Sequence, residues 1–302
     1  KMIIANPIYD TVFKRMMENE RIAKFFISTL LDQEIESIEV NPQEFTFIKD
    51  LDENDPKVQE YIERKLRERL SISIFRLDFI ATIKTETGAY KKILIEIQKA
   101  QNQIDLMRFR RYLGEQYKKE DFVHNEKMVL PITTIYILGF TLPEIESACI
   151  RVERNYIDLV NKTVLEKKSD FIEKLTHDSY IVQVNRITGR YQTRLDKLLS
   201  VFEQNNFIDE SKIIKQFPHP TDTEEVKLIT DILHHTGADP EQRKRIEDEQ
   251  EAWRTVNAMF EDKEKAFIKA LNEKNKVLDE QAKALDEKDK LIEELKRRLD
   301  DK

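Results

Sequence analysis

From Tyr9 to Leu31 the apolar residues Val12, Phe13, Met16, Met17, Ile22, Phe25, Phe26 and Leu30 recur at helical spacing behind an Asn6-Pro7 start signal. The pattern predicts an amphipathic helix or a pair of helices. Ile35 to Val40 alternates instead and stops at Asn41-Pro42, which predicts a strand. Asp50 to Arg69 is charged and carries Pro56, so it reads as a solvated insertion whose second half, Val58 to Leu70, is helical. Two further strands are predicted on either side of Thr85-Glu86-Thr87-Gly88-Ala89, then a helix from about Asn102 to Lys119. A buried strand follows in PITTIYILGF, Pro131 to Phe140. Beyond Pro143 the chain reads as mostly helical, with one strand at Tyr180 to Val184, a periodic helix at Gln192 to Glu203 and a linker at Phe217-Pro218-His219-Pro220. The order over the first half is helix, strand, strand, strand, helix, strand.

The turn fixes the register of the hairpin. If Lys84 pairs with Tyr90, Thr82 opposes Lys92, Ile80 opposes Leu94 and Asp78 opposes Glu96. Alternation then puts Leu77, Phe79, Ala81 and Ile83 on one face with Ile93, Ile95 and Ile97, a wholly apolar face that must be core. The other face runs from Ile80 and Leu94 to Asp78, Glu96 and Gln98, with Arg76 opposite Gln98. Directly opposed side chains have β-carbons about 4.5–5.5 Å apart, and like charges there repel. Something positive is required between Asp78 and Glu96. Arg76 or a lysine supplies it in an ordinary ion-pair cluster; a divalent cation such as magnesium, typically held by one or two carboxylates with water and phosphate oxygens, supplies it in a catalytic site.

Composition narrows the partners. The 302 residues carry a formal net charge of −7, with 36% charged and 40% hydrophobic residues. The chain as a whole is no basic nucleic-acid binder, so contact with phosphate requires a local patch or a metal ion. The single cysteine, Cys149, excludes an intramolecular disulfide framework and is expected to be a small buried residue. No apolar run approaches the roughly 20 residues of a membrane span, and a soluble cytoplasmic protein is expected. The five histidines show no zinc spacing.

Tyr9-Asp10 followed by Phe13-Lys14, an aspartate on the second strand, LIEIQK with its Glu-x-Gln on the third, and the Arg108 to Tyr112 segment together resemble the PD-(D/E)xK nuclease superfamily, in particular its recombination-promoting nuclease and putative transposase branch. The resemblance implies an α/β restriction-endonuclease-like core (α-β-β-β-α-β) and a magnesium- or manganese-dependent DNA endonuclease. By it, Asp78 and Glu96 are metal ligands and catalytic residues with Gln98, and Asp10 is a further carboxylate of the metal site; as a first-turn acid Asp10 is equally explained by the helix macrodipole. Gln98 stands where the superfamily has lysine. An amide orients water or phosphate oxygens but carries no charge and is no base, which leaves open the alternative of an inactive or weakly active nucleic-acid-binding or assembly protein on the same fold. Lys99 is no simple substitute, because alternation sends it to the opposite face.

Arg108, Arg111 and Tyr112, with Lys14, form the candidate DNA-contacting set; the helix that carries the two arginines reads equally as a solvated surface paired with Asp105 and Glu115. At the far end Leu271, Leu278, Leu285, Ile292 and Leu299 fall every seven residues. Their companion seam is polar in either register, so a homodimeric coiled coil and a single charged helix are the two readings of this tail. The expected organisation is a nuclease-like core over 1–142, a mostly helical accessory region over 143–265 and the heptad tail over 266–302.

Overall fold

The computed structural model describes residues 2–40, 79–99 and 103–251, isolated positions 254 and 288, and the backbone alone at 103–105, 107, 108 and 111. Lys1–Gln250 forms one compact unit. The expected helix at 58–70, Arg76, Leu77, Asp78 and the heptad tail lie outside the described residues.

The chain opens with a strand that local pattern did not signal, β1 (Met2–Ala5), which pairs antiparallel with β12 (Ile214–Phe217) some two hundred residues later. The predicted helix pair follows as α1 (Asp10–Met17) and α2 (Glu20–Leu31). Asn19 separates them by accepting a hydrogen bond from the Ile22 N–H at 3.2 Å, a side-chain N-cap, and Asp32 ends α2 in the left-handed region at φ 51°. Then come β2 (Ile35–Val40), β3 (Phe79–Thr85), β4 (Tyr90–Gln98), α3 (Gln103–Lys118), a small hairpin of β5 (Asp121–Val123) and β6 (Glu126–Met128), and β7 (Ile132–Leu138). Gly88, at φ 84°, makes the β3–β4 turn, and the pairs Lys84↔Tyr90, Thr82↔Lys92 and Ile80↔Leu94 hold as the turn predicts.

The region after Pro143 holds more strands than the one expected at Tyr180 to Val184. It forms β8 (Cys149–Val152), a hairpin of β9 (Tyr156–Asp158) and β10 (Thr163–Leu165), a short helix α4 (Asp170–Leu175) and β11 (His177–Gln183). The central sheet has six strands in the order β2-β3-β4-β7-β11-β8, parallel across β4-β7-β11 and antiparallel elsewhere. It therefore continues across residue 142, since β11 pairs with β7 along its whole length. The strands between 149 and 165 are three or four residues long, too short for a period of two to stand out. The later helices are α5 (Arg194–Ser200), with a capping box between Thr193 and Asp196, α6 (Glu224–Ala238), capped by Thr223, and α7 (240–251). Phe217, expected in a linker, is instead the buried end of β12.

One face of the sheet carries the main core. Phe79, Ala81, Ile83, Ile93, Ile95 and Ile97 pack with α1 and α2, as their alternation requires. Phe13, Phe26 and Phe202 meet there with ring centroids 5.6, 5.9 and 6.5 Å apart, tilted contacts that add about 0.5–1.5 kcal/mol each to their area burial. The opposite face carries a smaller cluster of Ile80, Leu94, Ile132, Phe109 and Tyr112 under α3.

Candidate functional site

Strand β4 sorts its residues by parity. Ile93, Ile95 and Ile97 enter the main core, while Lys92, Leu94, Glu96 and Gln98 take the face that α3 covers. Lys92 is buried and neutralised by Asp121 of β5. Glu96, 1% exposed, lies directly beside Tyr136 in the parallel β4–β7 pair. Burial pushes the Tyr136 hydroxyl far above its ordinary range, a hydrogen bond with Thr134 opposes this, and the Glu96 charge raises it further. Gln98 ends the strand with its Nε2 buried and without a hydrogen-bond partner.

The start of α1 is held against that same end of β4. The Gly139 N–H donates to the Gln98 carbonyl at 2.7 Å, and a β-carbon on Gly139 would stand 2.9 Å from Ile8 Cδ1 and 3.2 Å from the Lys99 carbonyl oxygen. Only glycine lets the three segments approach this closely. Lys99, just past the strand, turns to the α1 side: its ammonium sits 4.4 Å from the centre of the Tyr9 ring and pairs with the Glu249 carboxylate of α7. Glu249 also accepts the N–H groups of Asp10 at 2.8 Å and Thr11 at 3.0 Å. Tyr9, the N-cap, makes no side-chain capping bond, so the cap of α1 arrives from a residue 239 positions away. Burial pushes the Glu249 carboxyl up, but the Lys99 charge and hydrogen bond, with the Thr11 and Asp10 N–H groups, outweigh it and hold the group below the usual carboxylate range.

The Asp10 side chain pairs with Lys14 at 2.7 Å through Oδ2, while its Oδ1 is buried without a hydrogen-bond partner. Thus the start of α1, which carries Asp10, and the end of β4, which carries Gln98, are linked through Glu249 and Lys99. Lys14 is engaged with Asp10. Tyr112 is 7% exposed and its ring packs beneath α3 rather than on an exposed face. Arg108 and Arg111 lie within α3, their side chains outside the described residues, and Asp78, expected opposite Glu96, lies outside them as well. Cys149 is partly exposed in β8 rather than fully buried, and burial raises its thiol to about 11, which favours the protonated form at neutral pH. Sequence reasoning missed Glu249: it lies in the charged run EDEQE, and nothing local marks it off from its neighbours.

An open oxygen on a buried carboxylate suits a cation, and an open N–H on a buried amide suits an oxyanion. Among the described residues no group of three or more His, Cys, Asp or Glu is placed to hold a metal ion, and the two acids of the predicted set that are described are Asp10 and Glu96.

The class defined by these elements is a mixed α/β protein with acid and amide side chains collected at the end of a central strand. Residues 7–139 match the family described as putative transposase, YhgA-like, a span that includes Asp10, Glu96 and Gln98. Over that stretch the chain is similar to putative transposases, as Tyr9-Asp10, Phe13-Lys14 and LIEIQK implied. No curated protein and no solved structure matches the chain. Among the described residues no helix is long and apolar enough to cross a membrane.

Proposed function

We propose that this chain is a metal-dependent DNA endonuclease on a restriction-endonuclease-like core, with Asp78, Glu96 and Asp10 as the carboxylates that hold magnesium or manganese. The observation that carries the proposal is a pair of buried, unsatisfied polar atoms, Asp10 Oδ1 at the start of α1 and Gln98 Nε2 at the end of β4, the strand that also carries the buried Glu96. Unsatisfied buried polar atoms cost about 1–3 kcal/mol each and persist where a ligand completes them. A divalent cation, when bound, polarises a phosphodiester and activates water for in-line attack. Glu96 is fixed by its strand pairing, and its burial strengthens the attraction between its carboxylate and a cation. Gln98 donates its free N–H to a phosphate oxygen or to water and orients it. The match to putative transposases supports action on DNA.

One observation favours a second reading, a nucleic-acid-binding or assembly protein without hydrolysis. Gln98 brings no charge, and the adjacent Lys99 is committed to Glu249 on the other side of the strand. Incubation of supercoiled plasmid with the full chain decides between them. Nicking or cutting with magnesium or manganese, abolished by chelation and by Glu96→Gln, is expected; intact plasmid under both metals, with retained DNA binding, selects the second reading.

A further inference from the structure

The segment that follows β8 reverses the usual order of a protein surface. Nine of the 17 large apolar side chains exposed among the described residues fall between Val152 and Leu175. Polar groups hold the segment together and to the sheet: Arg154 donates to Asp178 of β11 at 3.0 Å and to Glu173 of α4 at 2.8 Å, and the Tyr156 hydroxyl of β9 donates to Glu173 at 2.5 Å. Apolar groups take the outside. Helix α4 buries no side chain; Phe171 and Leu175, one turn apart and 71% and 59% exposed, point away from the Glu173 side because successive residues are turned by about 100°. In the β9–β10 hairpin Tyr156 shares a face with Leu165, and the opposite face carries the cross-strand pair Ile157 and Val164, both exposed. The tip is held in place as well. Asp158 Oδ1 accepts the N–H groups of Val160 at 2.8 Å and Asn161 at 3.1 Å, which fixes Leu159 and Val160 in the solvent and lowers the entropy lost when a partner covers them.

Exposed apolar surface concentrated in this way marks an interaction site, and charge and area point to the partner. From Cys149 to Leu175 six lysines and arginines stand against five aspartates and glutamates, a net of +1, whereas the whole chain carries −7. A surface so balanced draws neither a nucleic acid nor a strongly basic protein, but two copies of it meet with both signs present on each side. The nine side chains, 39–88% exposed, offer on the order of 300–650 Å² of apolar surface. A standard interface buries about 800 Å² per partner, a little over half of it apolar. We infer that the β9–β10 hairpin and α4 form a docking surface for a second copy of this chain, the two copies related by a two-fold axis. The contact is remote from the end of β4: β8 runs antiparallel to β11 and sets Val152 beside Ser179, while Gln98 aligns through Leu138 with Gln183 at the other end of that strand. It is also distinct from association through residues 266–302, and it stands apart from the endonuclease reading.

Light scattering on the full chain over a concentration series tests the inference. Leu159→Ser, Val160→Ser and Phe171→Ser, combined in one chain, change only exposed side chains, so the fold should survive. The mass per particle should fall by at least half relative to wild type, and the Tm of wild type should climb more steeply with protein concentration than that of the variant. Phe122→Ser with Val129→Ser, at exposed apolar positions elsewhere, should keep the wild-type mass. A wild-type chain that is monomeric throughout the series overturns the inference and leaves the surface to a different partner. Equal masses for wild type and the triple variant overturn it too, by assigning association to another part of the chain, and an equal fall in the Phe122 and Val129 control reduces it to general stickiness. If the triple variant fails to fold, hydrogen exchange on the wild-type chain decides: the amides of 157–165 and 171–175 should exchange more slowly at high than at low protein concentration, and equal rates refute the contact.

Discussion

Two regions of the molecule bury charged and polar side chains and treat them in opposite ways. In the first, Lys215 of β12 is 2% exposed and donates to the carbonyls of Val201 at 2.7 Å and Glu203 at 2.5 Å. The Glu203 carboxylate is 1% exposed and takes His219 Nε2 and Asn205 Nδ2, each at 3.3 Å. His219 stacks on Tyr191 at 4.6 Å and 3°, and the Tyr191 hydroxyl donates to the Pro220 carbonyl. No buried side-chain nitrogen or oxygen in this cluster is left without a partner. In the second, at the start of α1 and the end of β4, Asp10 Oδ1 and Gln98 Nε2 are left open. A closed cluster specifies a fold, because each member is held by groups the chain itself supplies. An open one holds capacity for something the chain does not contain, and only the open one falls within the stretch that matches putative transposases. Burial and charge alone would rank the two equally as sites; completeness of hydrogen bonding separates them.

The largest expected difference is in stability. Lys215→Met keeps the volume but strips the Val201 and Glu203 carbonyls of their donor, at about 1–3 kcal/mol for each buried group left unpaired. Chemical denaturation near pH 9 should show a loss of that order. A variant as stable as wild type would mean that the Lys215 cluster is no more a structural device than the β4 end.

The same lysine sets a pH dependence of stability. Burial lowers the Lys215 ammonium to about 7 in the fold, with the Glu203 charge opposing, against 10.5 for the unburied group. Between those values the unfolded chain binds the additional proton. The cost of burying the charge is thus fully present below about pH 7 and is relieved as pH rises towards 10.5, so this group makes the protein more stable with rising pH by up to about 1.4 kcal/mol per unit. Lys215→Met should flatten the slope, and its loss of stability relative to wild type should shrink at pH 6. An unchanged slope in the variant would transfer the effect to another group.

The two clusters also differ in how far they could be read from the chain. The β3–β4 hairpin was legible pair by pair, because Gly88 fixes the turn and the alternation of Phe79, Ala81 and Ile83 against Ile93, Ile95 and Ile97 fixes the faces. Glu96 and Gln98 were therefore visible as polar residues in an apolar strand, and Asp10 as an acid at the start of a periodic helix. Lys215 and Glu249 were not. Each is a charged residue whose burial depends on segments remote in sequence: β1 pairing with β12 in one case and α7 crossing the start of α1 in the other. Local periodicity carries no trace of such pairings. The strands after Cys149 were missed for a related reason, since a three-residue strand such as Tyr156–Asp158 is defined by its partner, Thr163–Leu165, rather than by its own pattern.

The smallest expected effect bears most directly on the open cluster. Gln98→Met preserves the shape of the side chain and removes a buried N–H that has no partner in the protein. Relief of that unsatisfied donor offsets whatever its Oε1 contributes, so the Tm should stay the same or rise slightly, in contrast to Lys215→Met. Function should move the other way. If Gln98 orients water or a phosphate oxygen, its loss should lower the cutting rate by roughly 10–100-fold, the usual cost of removing an orienting group near a metal site, and by less than Glu96→Gln, which removes ligand charge. Gln98→Lys should retain or raise cutting by supplying the cation found at that position in the nuclease superfamily. A Tm lowered as far as by Lys215→Met would show that Gln98 is held by contacts as complete as those of the closed cluster. Its open N–H would then mark no site, and the distinction between the two clusters would fail at the residue on which it most depends.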